Sequence, residues 1–264
     1  MTTTAAKTAD WALAELLGAA RERREIGPLS ALWPELDEAG AYAIARRLVA
    51  QLTADEGTHA AGLKLGLTSK AKQKQMNIRE PIYGELLASR QVAEGESLRV
   101  GDLIHPKAEP EIALVLGREL KGPGVTAAQA REAIAAACVA IEIIDSRFKD
   151  YAFALPDCVA DNASAARHMI STYRVPLAGL DLRTLGAVFE KNGEVVGTGA
   201  GAAVDGDPAN GLAWLANKLA AAGRSIAAGT IVMTGSLTDA IALAPGDVVS
   251  VTIARLGSLT LRCS

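Results

Sequence analysis

The spacing of apolar positions changes character near residue 60. Over residues 8–24, Leu13, Leu16, Leu17 and Ala20 fall on one helical face. Leu36–Thr53 repeats this with Ala41, Ile44, Ala45, Leu48 and Leu52, and Pro28 and Pro34 punctuate the link between the two segments. From Gly62 onward, short apolar runs alternate with glycine and proline, which predicts strands. The expected strands are Ala61–Leu67, Glu111–Leu116, Val139–Ile144, Thr184–Lys191, Glu194–Ala200, Thr230–Thr234, Val248–Ala254 and Leu259–Arg262. Helices are expected at Ser69–Met76, at Ala127–Ala137, and at Pro208–Ala222 with Gly223 beyond its end.

Asn192-Gly193 between two expected strands is a two-residue hairpin signal. Several strands follow one another without helices between them, so the sheet should be mixed and mostly antiparallel. The regular strand–helix alternation of a doubly wound nucleotide fold is missing. Gly197, Gly199 and Gly201 lack the spacing and following helix of a dinucleotide fingerprint, and read as close packing or turn geometry. The expected class is α+β, with a helical region over 1–60 packed on a β-rich unit over 61–264. There is no internal repeat and no low-complexity linker.

Composition narrows the function classes. The chain has 264 residues, half of them hydrophobic, so a substantial core is available. Only 4% are aromatic, so that core is mainly Ala, Leu, Val and Ile. With 27 basic and 30 acidic residues and no dense basic run, phosphate-driven nucleic-acid binding is not expected. Charged residues interrupt every stretch that approaches membrane-spanning length, and Met1–Arg24 has no charged-then-apolar signal pattern. Cys138, Cys158 and Cys263 are far apart and suit free thiols in a reducing cytoplasm better than a disulfide framework or a zinc site.

Against this background the carboxylates stand out. Side chains alternate on a strand, so Glu109 and Glu111 share a face that continues with Ala113 and Val115. The pair reads either as a solvated face with basic neighbours or as ligands to a cation that offsets their repulsion. Glu142 lies inside an apolar strand and needs a partner, either a base such as Arg147 or the same cation. Three carboxylates form an all-oxygen set suited to Mg²⁺ or Mn²⁺ rather than zinc. Asp145 falls on the opposite strand face, where it can pair with Arg147 or cap a turn. His105 reads as a structural hydrogen-bonder, and His59 and His168 lack ligand-like spacing.

Lys64 sits among apolar residues between Gly62 and Gly66. It is either an ordinary edge-strand lysine or a positive charge for a substrate carboxylate or enolate. Arg147 and Asp161-Asn162-Ala163-Ser164 are polar clusters suited to anchoring an anion or the backbone.

Several long motifs in fixed order resemble a known family. They are GLKLGLTS around Lys64, EPIYG at 80–84, HPKAEPEIALVLG at 105–117, EIIDSR at 142–147, VADNAS at 159–164, LGAVFEKNGEVVGTGAGAAV at 185–204 and GTIVMTG at 229–235. Together they look like the 2-hydroxypentadienoate hydratases and 4-oxalocrotonate decarboxylases of the fumarylacetoacetate hydrolase superfamily. The resemblance runs from about residue 10 to the end of the chain. It implies a barrel-like or roll-like β core with N-terminal helices and Mg²⁺ or Mn²⁺ on Glu109, Glu111 and Glu142. It also implies Lys64 beside the keto-acid end of a small 2-oxo dicarboxylic acid, with Leu67, Thr68, Ser69 and Ser164 lining the pocket.

The helix DPANGLAWLANKL at 207–219 resembles the hydratases, whereas DSRFKDYAFALPDCVADNAS at 145–164 resembles the decarboxylases. Hydratases usually carry an acid after the proline of the EPIYG motif, where this chain has Ile82. The resemblance thus favours the decarboxylase, with the hydratase, or a non-catalytic partner of one, as alternatives. It further implies a cytoplasmic homo-oligomer that can associate with a hydratase.

Overall fold

The computed structural model describes residues 7–75 and 78–264. Helix α1 (Ala9–Glu22) begins where the Thr8 hydroxyl accepts from the Trp11 N–H, and α3 (Glu38–Glu56) where Asp37 accepts from the Gly40 N–H. Each cap satisfies a backbone donor left over at a helix start. A short α2 (Leu29–Leu32) joins them. Leu16 of α1 and Ile44 and Leu48 of α3 lie in one continuous core with residues from the strands.

The larger sheet has the order β2 (Ile82–Leu87), β1 (Ala60–Gly66), β10 (Ile231–Ser236), β4 (Lys107–Leu116), β5 (Ile134–Ile144) and β6 (Ala165–Ile170). The two-residue strands β7 (Val175–Pro176) and β11 (Ile241–Ala242) add to β5 and β4. β1 runs parallel to β10, and the other pairs are antiparallel. The sheet curls until β2 and β6 approach, a nearly closed barrel.

Alternation sorts the side chains of this sheet. Ile112, Leu114, Val139, Ile141 and Val232 face outward into the main core. Ala113, Cys138, Ala140, Ile170, Met233 and Leu86 form a small cluster of their own on the other face. A narrow barrel interior admits mostly small side chains, which suits Ala113, Cys138 and Ala140. By the same parity Glu109, Glu111, Glu142 and Lys64 belong to the inner face.

A second sheet has the order β3 (Ser97–Leu98), β13 (Gly257–Cys263), β12 (Val248–Ile253), β8 (Gly186–Lys191) and β9 (Glu194–Ala200). Its buried Val249, Val251, Leu259, Leu261 and Phe189 alternate with polar positions and pack toward β5. Asn192 and Gly193 both have positive φ (55° and 84°), as the predicted hairpin turn requires. The glycine tract proves to be packing: a Cβ at Gly199 or Gly201 would run into the carbonyl oxygen of Leu237 or Leu182.

The remaining helices are α4 (Lys70–Gln75), α5 (Ala127–Ala133), α6 (Leu155–Ala160) and α7 (Pro208–Ala220). The expected helix over Ser69–Met76 corresponds to α4, and Met76 lies outside the described residues. The expected helix Ala127–Ala137 is wrong at its end. It stops at Ala133, and Ile134–Ala137 start β5, where Ala136 and Ala137 oppose Val115 and Leu114. Ladder pairing overrides the helical preference of alanine there. β2, β6 and α6 were not anticipated. No helix among the described residues is long and apolar enough to cross a membrane.

Candidate metal and substrate site

Register brings the carboxylates together. Glu109 lies directly opposite Glu142 on the β4–β5 ladder, and Glu111 is two residues further along the same face. Oxygens of all three lie within 4.8 Å of one another. Glu111 and Glu142 are fully buried. The pairing of β10 with β4 shifts between Met233 and Ser236, and this irregularity aims the Gly235 N–H at Glu111 Oε2, 2.7 Å away. Gly235 has φ +105°, and a Cβ there would strike the Thr68 hydroxyl. Thr68 is therefore packed against the turn that holds Glu111.

Lys64 is no edge lysine, because β1 lies between β2 and β10 and the side chain is buried. Gly62 permits this close approach: a Cβ there would sit 2.5 Å from the Ile231 carbonyl oxygen. Lys64 Nζ lies 3.2 Å from Glu142 Oε1 and donates to the Ala163 carbonyl at 3.0 Å. The suggested Glu142–Arg147 bridge does not form. Arg147 pairs with buried Asp161 instead, and Lys64 is the cation beside Glu142. Asp145 caps a turn, accepting from the Ile104 and His105 N–H groups at 2.8 Å each. His105 spans Glu25 Oε1 and the Ser146 carbonyl, a structural role as expected.

The electrostatics follow from burial and proximity. Burial lifts Glu111 well above the ordinary carboxylate range, and Glu142 and Glu109 add to it. Burial also raises Glu142, with Lys64 opposing. For Lys64, burial alone favours loss of the proton, but Glu142, Glu109 and Glu111 outweigh it and hold the ammonium above its usual value. Glu111 Oε1 and both oxygens of Glu142 accept no aligned hydrogen bond, although Oε1 of Glu142 has Lys64 as its counter-ion. Buried, oxygen-only and short of donors, this cluster fits a hard divalent cation.

The other expected site residues come from β2, the link between β1 and α4, and the loop before β6. A Cβ at Gly66 would lie 3.1 Å from Ile82 Cγ1 and 3.4 Å from Lys64 Nζ, so Ile82 is an apolar neighbour of the ammonium. Leu67, with φ 55°, accepts from the Gln73 side chain at 2.7 Å through its carbonyl, and Ser69 follows Thr68 into α4. Ser164 is buried, 3.5 Å from Asp161 and 4.0 Å from the Cys158 sulfur. Burial pushes the Cys158 thiol up to about 12, so it stays protonated beside Lys64.

Comparison with known proteins places this arrangement. The model for the C-terminal domain of fumarylacetoacetate hydrolase matches residues 58–263. The chain belongs to the fumarylacetoacetate hydrolase family. It is 45% identical over 230 residues to a 4-oxalocrotonate decarboxylase of Pseudomonas putida, covering 87% of each chain. It is 39% identical over 246 residues to a 2-keto-4-pentenoate hydratase of Burkholderia vietnamiensis, covering 93% of this chain and 94% of that one. Among solved structures, the 4-oxalocrotonate decarboxylase of Pseudomonas putida G7 complexed with magnesium and adipate superposes with a TM-score of 0.92 at 41% identity. That match covers 98% of this chain and 99% of the other.

In this family member, the loop carrying Ser164 runs through left-handed backbone. Asn162, Ala163 and Ser164 all have positive φ, between 51° and 56°. Asn162 holds the loop to β2, its side chain accepting from Glu85 N–H at 2.8 Å and donating to Glu85 O at 2.9 Å. Gly84 makes room, since a Cβ there would collide with the Asn162 carbonyl oxygen. The polar run 161–164 signalled anchoring, but its target, the carbonyl offered to Lys64, was invisible in the sequence. His168, which lacks ligand-like spacing in the sequence, lies directly opposite Glu142. It is buried, its Nε2 has no hydrogen-bond partner, and burial holds it down at about 4.

Proposed function

We propose that this protein decarboxylates 4-oxalocrotonate (2-oxohex-3-enedioate) to 2-hydroxypenta-2,4-dienoate and CO₂, in the meta-cleavage catabolism of aromatic compounds. The observation that carries the proposal is a buried, charged Lys64 beside three carboxylates, with the apolar Ile82 next to it. The likeness to the decarboxylases supports it, and so does the adipate in the related structure, a saturated dicarboxylate of the same six-carbon length.

Losing the distal carboxylate leaves an electron pair that must run through the alkene to the 2-oxo oxygen, which then takes up a proton. Glu109, Glu111 and Glu142 would hold Mg²⁺ or Mn²⁺, which as a Lewis acid supplies positive charge at that oxygen, worth several kcal/mol. Lys64, kept protonated by its neighbours, adds charge stabilisation to the developing dienolate. Its buried ion pair with Glu142 opposes a Schiff-base role, which needs a neutral amine. Ile82 gives the departing carboxylate an apolar wall, favouring charge loss over solvation. Leu67, Thr68, Ser69 and Ser164 complete the pocket and orient the chain of the substrate.

The test is CO₂ release from 4-oxalocrotonate, abolished by EDTA and restored by Mg²⁺ or Mn²⁺. Full activity of metal-free enzyme would refute the metal reading. A second reading, hydration of 2-hydroxypenta-2,4-dienoate, is favoured by the hydratase likeness. Formation of 4-hydroxy-2-oxopentanoate without CO₂ release would establish it in place of the first. Ile82→Glu should lower decarboxylation, because it puts a carboxylate where charge is to be lost. Calorimetric Mg²⁺ binding without either activity would leave only the role of a non-catalytic partner.

We further propose a cytoplasmic protein that self-associates and docks with a hydratase acting on its product. The support is the family resemblance and, for the compartment, three buried free cysteines. Sedimentation alone and with a purified hydratase of the family tests the association.

A further inference from the structure

A cleft of about 90 Å³ lies away from the carboxylate cluster, between α1, the turn after β2 and the ends of β5 and β6. Three arginines line it, Arg90, Arg147 and Arg167, along with Asp102 and Asp145. The two acids are already engaged. Asp145 accepts from two backbone N–H groups, and Asp102 pairs with Arg99 at 3.2 Å. Among the cations, Arg90 pairs with Glu56 at 2.7 Å.

The other two arginines have donors to spare. Arg147 is buried and pairs with Asp161, but its Nε has no hydrogen-bond partner. Arg167 donates only to the carbonyl of its own neighbour Ala166, at 2.9 Å, and has no carboxylate in ion-pair contact among the described residues. Burial holds the Arg167 guanidinium below the usual arginine range and Arg90 adds repulsion, which the more distant charges of Glu56, Asp102 and Asp145 offset only in part. A half-buried guanidinium with unused donors, beside a second one, offers an oxyanion charge-assisted hydrogen bonds in a partly desolvated setting. Ala20 and Ala166, both small, leave the space open.

We propose that this cleft is a second binding site, for a small oxyanion carried by a carboxylate or a phosphate. The forked donors of guanidinium groups match the paired oxygens of either. The assignment stands whichever reaction the carboxylate cluster performs. Arg147 of the cleft pairs with Asp161, which lies two residues along the chain from Ala163, the carbonyl partner of Lys64.

The experiment is calorimetric titration of inorganic phosphate, and separately of succinate, into the Mg²⁺-loaded protein at fixed ionic strength. At least one should bind. Arg167→Gln should weaken that binding tenfold or more, and Arg167→Lys, which keeps the charge without the fork, should fall between. Ala20→Phe, which fills the cleft and leaves every arginine in place, should also abolish it. Binding of phosphate alone identifies a phosphate ligand, and binding of succinate alone a carboxylate; both together identify a general oxyanion site. No binding of either anion would overturn the proposal, as would an affinity unchanged by Arg167→Gln and Ala20→Phe.

Discussion

Glu111→Gln should stabilise the metal-free protein while destroying its response to metal. The side chain is fully buried, and its nearest carboxylate neighbours have oxygens within 4.8 Å. At an effective dielectric of about 20, two like charges at that distance repel by about 3.5 kcal/mol. Glu111 faces two such neighbours, Glu109 and Glu142, against one compensating Lys64, so about one repulsive pair is left over. Proton uptake relieves part of this, leaving an expected gain of roughly 1–3 kcal/mol on neutralising the side chain. Glutamine keeps the amide oxygen that accepts from Gly235, so the backbone bond survives. For a chain of this size the gain corresponds to a rise of roughly 2–10 °C in Tm. Saturating Mg²⁺, at about a hundred times its Kd, should add about 2.7 kcal/mol to the wild type and little to the variant. Thermal unfolding in EDTA and in Mg²⁺ measures all four states. A variant less stable than wild type in EDTA, or with an undiminished Mg²⁺ shift, would refute the reasoning.

Three other perturbations probe different parts of the site. Lys64→Met leaves Glu142 without its counter-ion and should cost about 3–5 kcal/mol in metal-free protein; CO₂ release should fall by about 10²–10³-fold, as when a single charge-stabilising donor is lost. Gly84→Ala pushes on the Asn162 backbone, costing about 1–3 kcal/mol. It should lower kcat through the Ala163–Lys64 contact, while calorimetry finds Mg²⁺ affinity intact. Neutral His168 is held at about 4 by burial, below the ordinary 6.5 or so. The unfolded chain therefore binds the extra proton between these values, so the stability His168 confers is complete above pH ~6.5 and is lost as the pH falls toward ~4. The ceiling is about 3 kcal/mol. His168→Phe should flatten the pH dependence of urea unfolding in that window, and an unchanged slope would show that His168 does not titrate as described.

What could be read from the sequence follows from the range of each signal. A period of two put Glu109 and Glu111 on one face with no knowledge of partners. The opposition of Glu109 and Glu142 depends on register between strands far apart in sequence, which no local pattern encodes. The alanines at 135–137 suit a helix as well as a strand, so only the pairing of Ala136 and Ala137 with β4 decided between them. β2 escaped notice because Gly84 and Glu85 break its apolar run. Gly84 is there for the backbone of Asn162, a tertiary reason. Lys64 was legible as unusual, but its burial in mid-sheet and its carbonyl partner were not.

The separation of the charged groups along the chain also bears on how the molecule folds. Glu109 and Glu142 meet across an antiparallel pair, whereas Lys64 reaches them only once β1 has paired in parallel with β10, matching Lys64 to Met233. Loop-closure entropy places that long-range parallel pairing later than the shorter β4–β5 closure. For an interval, then, carboxylates face each other with no cation between them. The expectation is that the β4–β5 pair zips from its apolar end, around Leu114 and Ala137, and leaves the acidic end frayed until β1 arrives. On this order of events the cation-binding cluster is a product of folding rather than its nucleus, so divalent metal should slow unfolding far more than it speeds folding.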